Sequence, residues 1–179
     1  MNDYHSGKKS KILLTGPPGC GKTTVIIKLI ELLKGKKIAG FYTREILSFG
    51  RRTGFQIKTF GGIDGLLSST VLTRGPRVGR YRVNVQGFEE IVLPELVRRP
   101  GDVDLFVIDE IGKMECFSRA FVRAVGAILD GVLPLAATVA FKGEGFIAEV
   151  KSHKNVKVVE VTQGNRNTLP KELAIDLVE

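Results

Sequence analysis

The sequence predicts an α/β fold: a mainly parallel sheet covered by helices on both faces. Three observations carry that reading. Short apolar runs of strand length alternate with stretches of helical spacing along most of the 179 residues, which is the pattern of strands joined by crossover helices. One of these runs stops at a loop rich in glycine and proline directly before a helix. Another, LFVI at 105–108, ends on two carboxylates.

The first strand is Lys11–Thr15 (KILLT), closed by the loop from Gly16 to Gly21, and 23–34 (TTVIIKLIELLK) then spaces apolar residues as a helix does. Residues 38–43 (IAGFYT) predict a second strand; Phe41 and Tyr42 sit in its small-and-large alternation as core residues. From 49 to 85 the pattern changes to short segments broken by Gly and Arg (55–60, 65–72 and 80–85), read as an insertion of hairpin strands. A helix over 88–99 is stopped by Pro100 and Gly101. The buried strand 105–108 precedes a helix at 118–130, a strand at 135–140, a helix at 146–152, a strand at 156–161 and a last helix at 169–178. Residues 11–179 are expected to form one domain, preceded by a flexible polar segment, 1–10.

With 43% apolar and 26% charged residues the chain has the composition of a folded globule, which excludes bulk disorder. No apolar run approaches the roughly 18 residues of a membrane-spanning helix, and the polar, basic start does not resemble a secretory signal. Two isolated cysteines, Cys20 and Cys116, exclude a disulfide scaffold and make a zinc site a poor reading. His5 and His153 stand far from every motif. A cytoplasmic protein without a membrane partner is expected, with a monomer as the default state. The net charge of +8 is uneven: residues 1–100 carry +11 and the remainder −3, so a polyanionic partner is expected to meet the first part of the chain.

Gly16-Pro17-Pro18-Gly19-Cys20-Gly21-Lys22-Thr23 matches G-x-x-x-x-G-K-[ST], the Walker A pattern. A triphosphate needs several backbone N–H donors converging on its oxygens, which glycines permit where a Cβ would block approach. Lys22 is then the cation for the β and γ oxygens, Thr23 the Mg²⁺ ligand, and Thr24 and the helix start complete the cradle. At Cys20 the backbone does the binding, so the side chain is unconstrained. Asp109 and Glu110, at the carboxyl end of the buried LFVI strand, should face the same crevice as this loop. Asp109 is expected to hold Mg²⁺, directly or through water, and Glu110 to orient or deprotonate a water in line with the γ-phosphate.

Taken together, GPPGCGKTT, GFYTREI, GRRTGF, VGRYRVN, FEEIVLP, VIDEIGKMECFS and VTQGNRNTLP resemble, in order and spacing, the thermophile-type nucleoside-triphosphatase family, small P-loop enzymes whose human member was noted as cancer-related. The resemblance spans about residues 11–177, and DEIGKME and Asn165-Arg166-Asn167 are its most specific pieces. It implies a three-layer P-loop NTPase sandwich with the RecA/AAA+-like sheet order 5-1-4-3-2. It further implies slow hydrolysis of several nucleoside triphosphates, ATP, GTP, CTP and UTP, to diphosphate and phosphate. Two stretches depart from the family. After the GFYT strand the family carries two acids, an aliphatic residue and an arginine, whereas here Thr43-Arg44-Glu45-Ile46-Leu47 stands, which leaves Arg44, Arg51 and Arg52 as candidates for that arginine's role; and Phe141 to Phe146 (FKGEGF) matches poorly.

Asn165 and Arg166, after the last strand, fall where this fold would place a base, and a guanidinium stacks on any base. Arg74, Arg77, Arg80 and Arg82 are candidates for a charge-stabilising finger, with solvated or substrate-binding roles as the alternative, and Lys113 is a candidate phosphate contact. No guanine-specific Asn/Thr-Lys-x-Asp signature occurs, which disfavours a switch GTPase. Two rival functions use the same loop. In one the chain is a nucleoside or nucleotide kinase, or another small-molecule phosphotransferase, with 49–85 as lid. In the other it is a nucleic-acid-binding ATPase, disfavoured because aromatic residues are not interleaved with the basic cluster.

Overall fold

The computed structural model describes residues 10–178, so the segment 1–10 expected to be flexible lies, apart from Ser10, outside the described residues. Along the chain run β1 (Lys11–Thr15), α1 (Lys22–Leu32), β2 (Ile38–Ser48), β3 (Arg51–Thr59), β4 (Asp64–Ser69), β5 (Arg77–Val78), β6 (Tyr81–Val83) and α2 (Val85–Leu96). They are followed by β7 (Leu105–Ile111), α3 (Arg119–Asp130), β8 (Leu135–Val139), α4 (Phe146–Lys151), β9 (Val156–Glu160) and α5 (Leu169–Val178). No helix among the described residues is long and apolar enough to cross a membrane.

All these strands join one sheet in the order β5-β6-β4-β3-β2-β7-β8-β1-β9. The pairs from β2 through β7, β8 and β1 to β9 are parallel. Those from β2 through β3, β4 and β6 to β5 are antiparallel. The expectation of a mainly parallel sheet is therefore corrected: the sheet is mixed. The physical reason lies in β2, which does not stop at Thr43 but runs to Ser48, leaving its outer edge of N–H and C=O groups to be paired. The hairpin strands of 51–83 satisfy that edge and extend the same sheet.

Period-two alternation sorts the core. Ile12 and Leu14 on β1, Leu105 and Val107 on β7 and Ala136 on β8 face α1 and α5. Their neighbours Leu13, Phe106, Ile108 and Ala137 face α2, α3 and α4. On the second face Phe41, Phe88 and Phe121 form an edge-to-face triad with centroids 5.3–6.0 Å apart, the favoured geometry for buried rings. Asn84 caps α2 by accepting from the Gly87 N–H, and Ser118 caps α3 by accepting from the Phe121 N–H. The consequence for the site is positional. Parallel strands β1, β7 and β8 all end on one side of the sheet, where the loop after β1 also lies.

Candidate active site

Backbone conformation shapes the loop. Gly16 has φ +145°, and a Cβ there would stand 2.8 Å from Cys20 Sγ and 2.9 Å from the Val161 carbonyl; Gly19 has φ +78°. Both positions call for glycine, one for close approach and one for a left-handed turn. The Lys22 ammonium turns back over the loop and donates to the carbonyls of Gly16 (3.0 Å) and Pro17 (3.5 Å). Pro17, Pro18 and Gly19 are exposed along the rim, as are Thr23 and Thr24 in the first turn of α1. Cys20 is partly buried and packs against the core beneath the loop.

The strand carrying the two carboxylates is longer than expected: β7 runs to Ile111, so Asp109 and Glu110 belong to it. Asp109 is 1% exposed. Its Oδ1 accepts a 2.5 Å hydrogen bond from Thr138 on neighbouring β8, while its Oδ2, equally buried, has no partner among the described residues. Burial pushes this carboxyl above the usual carboxylate range, and the hydroxyls of Thr138 and Thr23 and the charge of Lys22 oppose the rise. Thr23 and Lys22 thus converge with Asp109. A buried carboxylate oxygen without a partner is costly; beside a hydroxyl and an ammonium it suits a cation or a cation-bound water.

Glu110 lies within reach of the charges on Lys22 and Asp109. Burial raises its carboxyl, Lys22 and Lys151 lower it and Asp109 raises it again. It lines a cavity of about 300 Å³ with Lys113, Glu115 and Lys142. No group of three or more His, Cys, Asp or Glu suited to a metal ion occurs among the described residues. Thr23 and Asp109 are the side chains here that could hold a cation, and a site with so few protein ligands is of the kind in which Mg²⁺ is ordinarily held.

Arg166 lies against the loop: its Cδ is 3.5 Å from where a Cβ on Gly21 would stand. Asn165 is committed to the turn between β9 and α5. Its Oδ1 accepts from the Thr162 N–H and its Nδ2 donates to the Glu160 carbonyl, both at 2.8 Å. Of the arginine candidates, Arg80 donates to the Arg52 carbonyl and Arg82 to the Gly75 carbonyl. Arg52 bridges Tyr81 and Glu45, and Arg44 stacks over Tyr42, 5.3 Å from the ring centroid. Cys116 is a half-buried thiol pushed up to about 12, largely by that burial, and is therefore unreactive near neutrality.

Sequence reasoning did not single out Thr138, Glu115 or Lys151 by role. Thr138 is a lone hydroxyl in the apolar strand LAATV, a detectable signal, but its partner is 29 positions away. Glu115, buried and pushed up to about 8 by that burial, accepts from the Gly112 N–H and holds the turn after β7. Lys151, on α4, carries no local pattern that would announce its proximity to Glu110.

A family model described as NTPase matches residues 11–174. The nucleoside-triphosphatase THEP1 of Thermotoga sp. (strain RQ2) is 43% identical over 163 residues, covering 91% of this chain and 92% of that protein. The human cancer-related nucleoside-triphosphatase is 42% identical, covering 88% and 91%. The crystal structure of THEP1 from the hyperthermophile Aquifex aeolicus superposes with a TM-score of 0.85 at 37% identity, covering 94% of this chain and 99% of that one. With that agreement over nearly all its length, the chain belongs to this nucleoside-triphosphatase family and is an enzyme of its hydrolase class.

Proposed function

We propose that the enzyme hydrolyses nucleoside triphosphates, ATP, GTP, CTP and UTP among them, to diphosphate and phosphate in a Mg²⁺-dependent reaction. The supporting observation is the buried Asp109 carboxylate, fixed on one oxygen by Thr138, without a partner on the other, and flanked by Thr23 and Lys22. Residues 11–179 are read as one P-loop domain whose parallel strands, counted along the chain, follow the RecA/AAA+-like order 5-1-4-3-2. It acts as a cytoplasmic monomer.

In this reading the backbone from Gly16 to Thr24 binds the phosphates and the Lys22 ammonium leaves its own loop carbonyls for the β and γ oxygens. Thr23 and Asp109 would hold the magnesium ion, which when bound would neutralise charge on the phosphate oxygens. Glu110 orients a water in line with the γ-phosphate and takes its proton, aided by a raised carboxyl affinity for protons. Arg166 stacks on the base irrespective of its identity, and Asn165 contributes by shaping the turn that presents it.

The test is the metal dependence of binding. Mg²⁺ should tighten binding of a non-hydrolysable triphosphate analogue to the wild type by about tenfold or more, and Asp109→Asn should lose most of that gain. An Asp109→Asn variant with the full Mg²⁺ gain would contradict the assignment.

A further inference from the structure

Between the β5–β6 hairpin and the segment leading into α4 lies a groove of about 1250 Å³ that neither the phosphate loop nor the metal pair lines. Four cations face it: Arg77 from the hairpin, Lys113 from the turn after β7, and Lys142 and Lys151 from the α4 side. Glu144 is the one carboxylate in its lining, so the groove is strongly positive. Arg77, Lys113 and Lys142 make no ion pair and no side-chain hydrogen bond among the described residues. They differ in this from Arg52, Arg80 and Arg82, which are bound to the protein itself. Lys151 donates to the Phe141 carbonyl at 2.8 Å and keeps two further N–H donors.

Two aromatic rings stand in the same lining. Phe117 and Phe141 are 43% and 40% exposed, an unfavourable state for large apolar side chains that a flat ligand ring would relieve. The groove also opens inward. The smaller cavity that contains Glu110 shares Val78, Lys113 and Lys142 with it. A molecule seated in the groove therefore touches residues that also line the Glu110 cavity. A single-stranded nucleic acid needs a cationic track with successive stacking platforms. Here two rings and four cations converge on one hollow, which favours a small molecule.

We infer that this groove is a second ligand site, for a small phosphate-bearing molecule with a flat ring, of the nucleoside monophosphate class, bound independently of the triphosphate on the loop. Its cations take the phosphate, Phe117 and Phe141 take the ring, and Lys113 and Lys142 form its border with the Glu110 cavity.

The test is calorimetric titration of adenosine and cytidine 5′-monophosphates into four proteins: wild type, Lys22→Ala, the charge reversal Arg77→Glu with Lys142→Glu, and Phe141→Ala. Binding of a non-hydrolysable triphosphate analogue is measured on each. The expected result is one monophosphate per wild-type chain, affinity within about twofold in Lys22→Ala, and loss of about tenfold or more in the charge reversal and in Phe141→Ala. The analogue should show the opposite pattern, weakened by Lys22→Ala, within about twofold of wild type in Phe141→Ala, which lines the groove and not the Glu110 cavity, and still measurable in the charge reversal. This also reports separately on the loop and on the groove, and shows that the groove variants are folded. The inference is overturned if the wild type binds no monophosphate, or if binding is lost in Lys22→Ala and kept in the groove variants. It is also overturned if an RNA of about ten nucleotides binds the groove more tightly than the monophosphates, with the steep salt dependence of a nucleic-acid track.

Discussion

The two halves of the sheet use charge in opposite ways. In the parallel half, β9-β1-β8-β7-β2, charged groups near the strand ends are left incompletely partnered: Asp109 keeps a bare buried oxygen, and Lys22 rests on its own loop. In the antiparallel half three arginines are bound to the protein itself, while Arg77 on β5 has no such partner among the described residues. Arg52 pairs with Glu45 and Tyr81, Arg80 with the Arg52 carbonyl and Arg82 with the Gly75 carbonyl. The lesson concerns the +11 carried by residues 1–100. Part of it, on Arg52, Arg80 and Arg82, fastens β3 and β6 in place, so not all of it is free to face a polyanion. An unpartnered buried carboxylate oxygen, more than charge density, marks the chemical half.

That contrast can be broken from either side. The largest effect is expected at Lys22: Lys22→Ala should reduce triphosphate turnover by about 10²- to 10³-fold with little change in thermal stability, read by phosphate release and calorimetry. Unchanged turnover would place the chemistry elsewhere. Next comes Thr138→Val, which removes the hydroxyl that fixes Asp109 while keeping its volume. Turnover should fall about tenfold and the Mg²⁺ concentration for half-maximal rate should rise; a loss of rate with unaltered Mg²⁺ dependence would make Thr138 a packing residue. The smallest effect on rate is expected in the antiparallel half. Arg52→Ala should keep turnover within about twofold yet lower stability by about 1 kcal/mol, through its lost hydrogen bonds. A large loss of rate there, with intact stability, would turn Arg52 into a phosphate-facing residue and erase the contrast.

What the residues disclosed on their own follows the same division. KILLT, the glycine loop and the helix after it are local features, and each has a physical reason to appear where it does. The end of β2 is not legible in that way. Arg44, Glu45 and Ser48 fall beyond the strand predicted at 38–43, because their role is to pair across a hairpin whose partner begins with Arg51 and Arg52. The two carboxylates were legible as a pair, but their placement within β7 depends on pairing of Ile111 with Val139. Thr138 and Lys151 were hidden because their significance exists only across chain distances of 29 and 41 residues. Asn165 was legible as a site-adjacent residue, and the turn that it holds emerged only from its hydrogen bonds.

The most direct test of water activation at the end of β7 is Glu110→Gln, which keeps shape and removes the base. Measured side by side, binding of a triphosphate should stay within about twofold of wild type while phosphate release falls by about 10² or more. A Glu110→Gln enzyme releasing phosphate at the wild-type rate would contradict the account.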